Sequence, residues 1–157
     1  MGVSRSVLIE EACNILVIPL KELGYEFEPS HANGWGMFWF EKKLQQPTDM
    51  FYIVEFQPSG FELDDDFFDM AINLHRRTKR DELGDNIEGG PAKIWAVRLN
   101  PHLWGETRSN SRDDTWWHFI SAADVRVAYA DILEKLKEYG IPFLEDPKST
   151  FRRGMGL

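Results

Sequence analysis

The chain is poor in cysteine and has none of the residue patterns that announce a reaction. A single cysteine, Cys13, excludes an intrachain disulfide, so stability has to come from packing. It lies beside Ala12 and Leu16 in an amphipathic stretch, which predicts a buried, inert thiol and a reducing, cytoplasmic setting. No apolar run approaches the ~20 residues that span a bilayer. The opening residues run straight into a helix carrying Glu10 and Glu11, without the apolar core of a secretory leader, so no membrane role is expected. G-x-S-x-G, P-loop and dinucleotide glycine patterns are absent. The histidines, His31, His75, His102 and His118, follow neither H-x-H nor H-E-x-x-H spacing and have no C-x-x-C companion. No metal and no cofactor is therefore expected.

Basic charge is scarce where acidic charge is dense. Residues 1–74 carry 13 acidic and 4 basic side chains, a balance of −9, whereas residues 75–157 carry 13 acidic and 14 basic, a balance of +1. Phosphate binding needs a basic footprint, so nucleic acid is excluded as the expected partner, and a basic protein fits better. The densest acidic stretch is Glu62, Asp64, Asp65, Asp66 and Asp69, followed by the basic run Arg76-Arg77-Thr78-Lys79-Arg80, which could pair with it.

What the chain does have is patterning. Hydrophobic residues make up 43% of it, enough for a real core in one domain, here taken as residues 1–145 with 146–157 as a flexible tail. A helix is predicted at about 6–23, with Leu8, Ala12, Ile15, Leu16, Leu20 and Leu23 on one stripe, Ser6 as its cap and Gly24 as its stop. Pro19 should bend or split it. Tyr25-Glu26-Phe27-Glu28 alternates, and four longer runs do so clearly: 36–42, 50–56, 68–74 and 94–99. A hairpin is expected at 45–49 and a turn at Pro58-Ser59-Gly60, with loops at 79–92 and 100–115. Ser121-Ala122-Ala123-Asp124 has the form of a capping box opening a helix over 122–139, which Gly140 and Pro142 should end. Helix, hairpin-linked strands, helix is an α+β order. It predicts an antiparallel sheet of about 4–6 strands with the N-terminal and C-terminal helices packed on one face.

Candidate chemistry is thin. Asp49 with Glu55-Phe56-Gln57 is a faint version of the acidic pair of restriction-endonuclease-like folds, where two carboxylates share Mg²⁺. Asp49, however, falls in the hairpin, and the basic surface is missing. Asp114 and His118 converge only if their segment is helical. The acidic residues Asp64, Asp65, Asp66 and Asp69 are candidates for a partner surface, as are Trp116 and Trp117, because exposed Trp is favoured at binding hot spots. In extended chain these two rings point opposite ways, one toward the core and its neighbour outward.

Several short stretches together resemble a family of small bacterial α+β proteins described only as a domain of unknown function. They are Leu23-Gly24-Tyr25, Phe38-Trp39-Phe40-Glu41-Lys42-Lys43, Val54-Glu55-Phe56-Gln57, Asp114-Thr115-Trp116-Trp117 and Tyr139-Gly140-Ile141-Pro142. The resemblance spans about residues 8–145, supports the fold and implies no catalytic residue. The expected function is a non-catalytic cytoplasmic binding protein, monomer or homodimer. Its acidic surface would engage a basic protein partner, as an immunity-type toxin inhibitor does. The alternative is a small-ligand-binding domain or enzyme using an aromatic pocket between sheet and helices.

Overall fold

A computed structural model describes residues 2–28, 37–44, 50–61, 66–77, 95–105, 116–149 and 152–153. The N-terminal amphipathic stretch forms α1 (Arg5–Ile15) and α2 (Val17–Glu22). Ser4, rather than Ser6, caps α1, its Oγ accepting from the Val7 N–H at 3.3 Å. The break at Leu16 follows from Pro19. Proline there has no N–H to offer Ile15, so the chain restarts its hydrogen bonding and places Pro19 in the first turn of α2. Gly24 ends α2 at φ +94°, a conformation that disfavours any residue with a Cβ.

The sheet follows in sequence: β1 (Glu26–Glu28), β2 (Phe38–Lys43), β3 (Phe51–Phe61), β4 (Asp66–Arg77), β5 (Trp95–Arg98), β6 (Trp117–His118) and β7 (Arg152–Arg153). All described pairings are antiparallel, in the order β1-β2-β3-β4-β5-β7. Along its other side β4 serves two partners end to end, β6 at Asp69–Met70 and β5 at Asn73–Arg76. Phe67 adds a bridge to Val3, with two backbone hydrogen bonds of 2.8 Å.

Pro58-Ser59-Gly60 does not turn the chain. β3 runs through it to Phe61, Pro58 lies opposite Met70, and the irregularity is a bulge between Ser59 and Gly60. Pro58 sits past the last described β2–β3 pair, Phe38 with Phe56, so its missing donor costs no bond of that ladder. The expected features at 29–34, 45–49, 79–92 and 106–115 lie outside the described residues.

The C-terminal helix also outlasts its predicted stop. Ser121 caps α3 (Ala122–Lys135), its Oγ accepting from Asp124 N–H, while Asp124 accepts from Ile120 N–H at 3.0 Å. The helix then widens into a π turn over Leu136–Gly140, closed by Ile141 N–H on the Leu136 carbonyl, and continues as α4 (Ile141–Glu145). The wider turn absorbs Pro142, whose ring and missing N–H cannot be fitted into an α ladder. Gly140 has φ −66°, so it is no left-handed stop. Its place is set by close packing, since a Cβ there would come within 3.0 Å of Leu136 Cδ2 and Leu99 Cδ1.

Helices and sheet share one core. Phe38, Phe40, Val54, Phe56, Met70, Ile72 and Leu74 project from the strands against Leu8, Leu16, Leu20, Val125, Tyr129, Ile132 and Leu136. Phe56 stacks on Phe38 at 5.0 Å and meets Tyr129 edge-on at 5.7 Å. The chain is an α+β protein with its helices on one face of an antiparallel sheet.

Beyond α4, Arg76 Nε and Nη2 both donate to the Leu144 carbonyl, at 2.8 and 2.6 Å, satisfying an acceptor left over at the helix end. Glu145 accepts from Tyr25 Oη at 3.2 Å and from Lys42 Nζ at 2.8 Å. These contacts tie α4 to β2 and β4. The following stretch, expected as a tail, includes β7 paired with β5.

Candidate functional site

Strand alternation that sends Phe38, Phe40, Val54, Phe56, Ile72 and Leu74 toward the helices sends their neighbours to the opposite face. Register aligns those neighbours in rows across the sheet. One row reads Trp39, Glu55, Asn73, Arg98, and the next Glu41, Ile53, His75. A solvent-facing sheet surface would leave these side chains wet. Instead Glu55, Asn73, His75 and Arg98 are each no more than 5% exposed, and Trp39 is 1% exposed.

Burying ionisable side chains is costly unless they are paired, so their partners matter. Glu55 Oε1 is the hub. It accepts from Asn73 Nδ2 at 2.8 Å and lies 3.4 Å from His75 Nε2. The other Asn73 hydrogen goes to Gln57 Oε1 at 2.9 Å. That pair of donations fixes the amide orientation, because a flipped Asn73 would set its oxygen against two acceptors. Trp39 Nε1 donates to Glu41 Oε2 at 3.4 Å. The Arg98 guanidinium lies over the Trp116 ring, 5.1 Å from its centroid.

Several buried polar atoms of this set make no described hydrogen bond, Nε and Nη1 of Arg98 among them. Asn73 Oδ1 and His75 Nδ1 are buried without a hydrogen-bond partner. Nδ1 offers a lone pair or an N–H according to the protonation of the ring, whose Nε2 faces a carboxylate. Asn73 Oδ1, an acceptor, and His75 Nδ1 lie two residues apart on one strand and on one face. Gln57 and Trp116 are only half-buried and mark the side where the set approaches solvent. Among the described residues, no three His, Cys, Asp or Glu side chains are grouped to hold a metal ion.

The residues singled out from the sequence are distributed elsewhere. Asp64 and Asp65 lie outside the described residues. Asp66 begins β4 opposite Phe61 and is half-buried. Asp69 is bonded to His118 Nδ1 across the β4–β6 pair. His118 therefore meets Asp69 rather than Asp114, because its segment is strand and not helix. Arg76 does not neutralise the acidic end. It sits at the far end of β4, roughly 20 Å along the strand from Asp69 at ~3.3 Å per residue. There it lies over the Tyr52 ring.

Both tryptophans of the pair are half-buried, with different partners. Trp117 packs against the helix-side core and donates to Asp131 Oδ2 on α3 at 2.8 Å. Trp116 meets Arg98 from the opposite face. Cys13, expected inside, is exposed, because the buried stripe of α1 runs through Leu8, Glu11 and Ala12. Glu11 reaches Arg126 on α3 at 3.0 Å.

In the layer between sheet and helices, where the alternative reading places an aromatic pocket, Phe38, Phe40 and Phe56 are fully buried. Its polar atoms include two phenols. Burial pushes the Tyr25 hydroxyl far above the ordinary phenol range, and the Glu145 carboxylate adds to the shift. Tyr129 is raised as well, by burial first and Glu11 second, while its hydroxyl donates to the Leu8 carbonyl at 2.9 Å.

Sequence reading missed Glu41, Asn73, His75 and Arg98 as a group, because the polar phase of an alternating strand reads as its wet side. One signal was present: the same phase also carries Trp39, Ile53 and Ala71, all buried, which a solvent-facing surface would not collect. Comparison with protein-family models, curated proteins and solved structures finds no match. The fold therefore defines the class, α+β, and the site has to be read from its own chemistry. No helix among the described residues is long and apolar enough to cross a membrane.

Proposed function

We propose that this chain is a binding protein whose ligand site is the face of the sheet opposite the described helices, and that it receives a small polar ligand there. The observation that carries this reading is the pair of buried polar atoms without a hydrogen-bond partner, Asn73 Oδ1 and His75 Nδ1, beside contacts that are made to Glu55 and Gln57. Leaving a buried polar atom unsatisfied costs about 1–3 kcal/mol. A fold that needed this face only for stability would do better with apolar residues. A ligand supplying the missing partners removes that cost when it binds. The acidic edge is the weaker candidate for the function, since Asp69 is committed to His118 and Asp66 is half-buried. The same reading places the protein in the cytoplasm, where an exposed thiol such as Cys13 stays reduced.

The test is a side-chain NMR titration following the His75 ring nitrogens and the Trp39 indole N–H. The probes are methylguanidine, methylammonium, glycerol, acetate and inorganic phosphate. A saturable shift with at least one probe, lost in Asn73→Leu, supports the reading. If all five leave both signals unmoved, the reading fails.

A further inference from the structure

We infer that the ligand of this face is a neutral hydroxyl compound, a small polyol or monosaccharide, held through its hydroxyl groups at Asn73 Oδ1 and His75 Nδ1. This inference rests on the binding reading above and names the class of ligand. Asn73 sets the first requirement. Both hydrogens of its amide are committed, one to Glu55 Oε1 and one to Gln57 Oε1, so its buried, unpartnered oxygen can only accept. The ligand has to donate there. His75 sets the second requirement. Its Nε2 faces Glu55 Oε1 at 3.4 Å, and its unpartnered Nδ1 carries a lone pair in one protonation state of the ring and an N–H in another. The ligand atom at that point has to answer both.

A hydroxyl does so from a single oxygen, which donates one hydrogen and accepts on its lone pairs. Ammonium and guanidinium groups only donate, and ionised carboxylates only accept. An amide divides the two roles between its nitrogen and its oxygen, so it needs a different pose for each state of His75. Charge argues the same way. The ionised side chains of the face are already engaged: Glu55 with Asn73 and His75, Glu41 with Trp39, and the Arg98 guanidinium with the Trp116 ring. A charged ligand would give up its hydration with no counter-charge reserved for it, whereas a hydroxyl gives up less and regains hydrogen bonds. Asn73 and His75 stand two positions apart on one face of β4, so one molecule with two or more hydroxyls meets both. Their exposures of 2% and 4% restrict it to a small one.

The inference is tested by titrating the full chain with glycerol, erythritol and methyl glucoside at up to about 0.1 M, reading the His75 ring nitrogens and the Asn73 side-chain amide. Urea, methylguanidine, acetate and inorganic phosphate are the comparison probes, and 1,2-dimethoxyethane is the ether that accepts without donating. The best hydroxyl probe should saturate both signals at least about tenfold more tightly than any comparison probe, with the ether inert. Whichever hydroxyl probe binds most tightly tells an open polyol from a ring sugar. Asn73→Leu and His75→Phe should each weaken that probe by about fivefold or more, with folding verified from the core methyl resonances. Where a variant does not fold, the comparison of probes on the unaltered chain decides. A smaller margin over urea, the cation or the anions overturns the inference, as does an ether that matches glycerol or a folded variant that binds unchanged. Saturation by any of these probes still leaves the face a site for a polar ligand. Silence of both signals toward every probe overturns the binding reading itself.

Discussion

The two faces of this sheet are made by residues one position apart on the same strands. Phe38, Phe40, Phe56 and Leu74 point one way, and Trp39, Glu41, Glu55 and His75 the other. Both sets are buried, yet they are stabilised differently. On the helix side, apolar area is removed from water at about 25 cal/mol per Å², and interlocked rings add to it. On the other side, burial removes water from carboxylates, an imidazole and an amide, and hydrogen bonds do little more than offset the loss. The helix side accounts for why the chain folds. The other side is where the proposed ligand would bind.

The largest expected effect breaks the helix side. Phe56→Ala removes the ring that touches Phe38, Phe40 and Tyr129 at once, and should cost about 3–5 kcal/mol in urea denaturation. The polar side should respond in the opposite sense to wholesale replacement. Glu55→Leu alone leaves one of the two Asn73 Nδ2 hydrogens and His75 Nε2 without their Glu55 contact, and should cost about 1–3 kcal/mol. Adding Asn73→Leu and His75→Phe removes the stranded groups as well, and stability should return to within about 1 kcal/mol of wild type or exceed it. If the triple variant is instead the least stable of the series, the polar set is structural and the contrast between the faces collapses.

That contrast was half legible in the sequence. Apolar phases such as Phe38/Phe40 and Met70/Ile72/Leu74 identify strands, and those strands with their flanking amphipathic stretches define the α+β order that the structure has. The Ser121 cap and the break at Pro19 follow from local chemistry and are found where local chemistry puts them. The polar phases were not legible, because Glu55 or His75 on a strand looks the same whether water or protein covers it. Register was the missing quantity. Only pairing sets Glu55 beside Asn73, 18 positions away, and brings His75 to the same oxygen. Register matters for the acidic stretch too: the aspartates of 64–69 are conspicuous in sequence, and strand pairing gives Asp69 His118 as its partner.

The helix side has polar atoms of its own, and they sharpen the comparison through pH. Tyr25 and Tyr129 hold their protons far above the ordinary phenol value of 10.0. Below that value both the folded and unfolded chains are protonated there, and the two phenols make stability independent of pH. Above it the unfolded chain releases protons that the native chain retains, so the unfolded state binds fewer and stability falls as pH rises. Denaturation midpoints should therefore decline steeply above about pH 10. The decline should be shallower in a Tyr25→Phe/Tyr129→Phe double variant, which gives up the Leu8 and Glu145 hydrogen bonds at neutral pH for about 1 kcal/mol each. An unchanged alkaline slope would mean that these hydroxyls are not sealed in the helix-side core.

The smallest effects separate two glycines that hold the helices on that side. Gly24 adopts φ +94°, so Gly24→Ala pays for a left-handed backbone and brings its Cβ within 3.2 Å of Lys42 Cε, the side chain that binds Glu145. A loss of about 1 kcal/mol is expected. Gly140 lies at φ −66° inside a continuing helix, where alanine gains up to about 1 kcal/mol of helix propensity. Against that gain stands contact at 3.0 Å with the methyl ends of Leu136 and Leu99, both fully buried. The two terms nearly cancel, and Gly140→Ala should stay within about 0.5 kcal/mol of wild type by thermal denaturation. A loss as large as that of Gly24→Ala would mean that the contacts with Leu136 and Leu99 outweigh the propensity gain, the buried methyl groups being unable to give way.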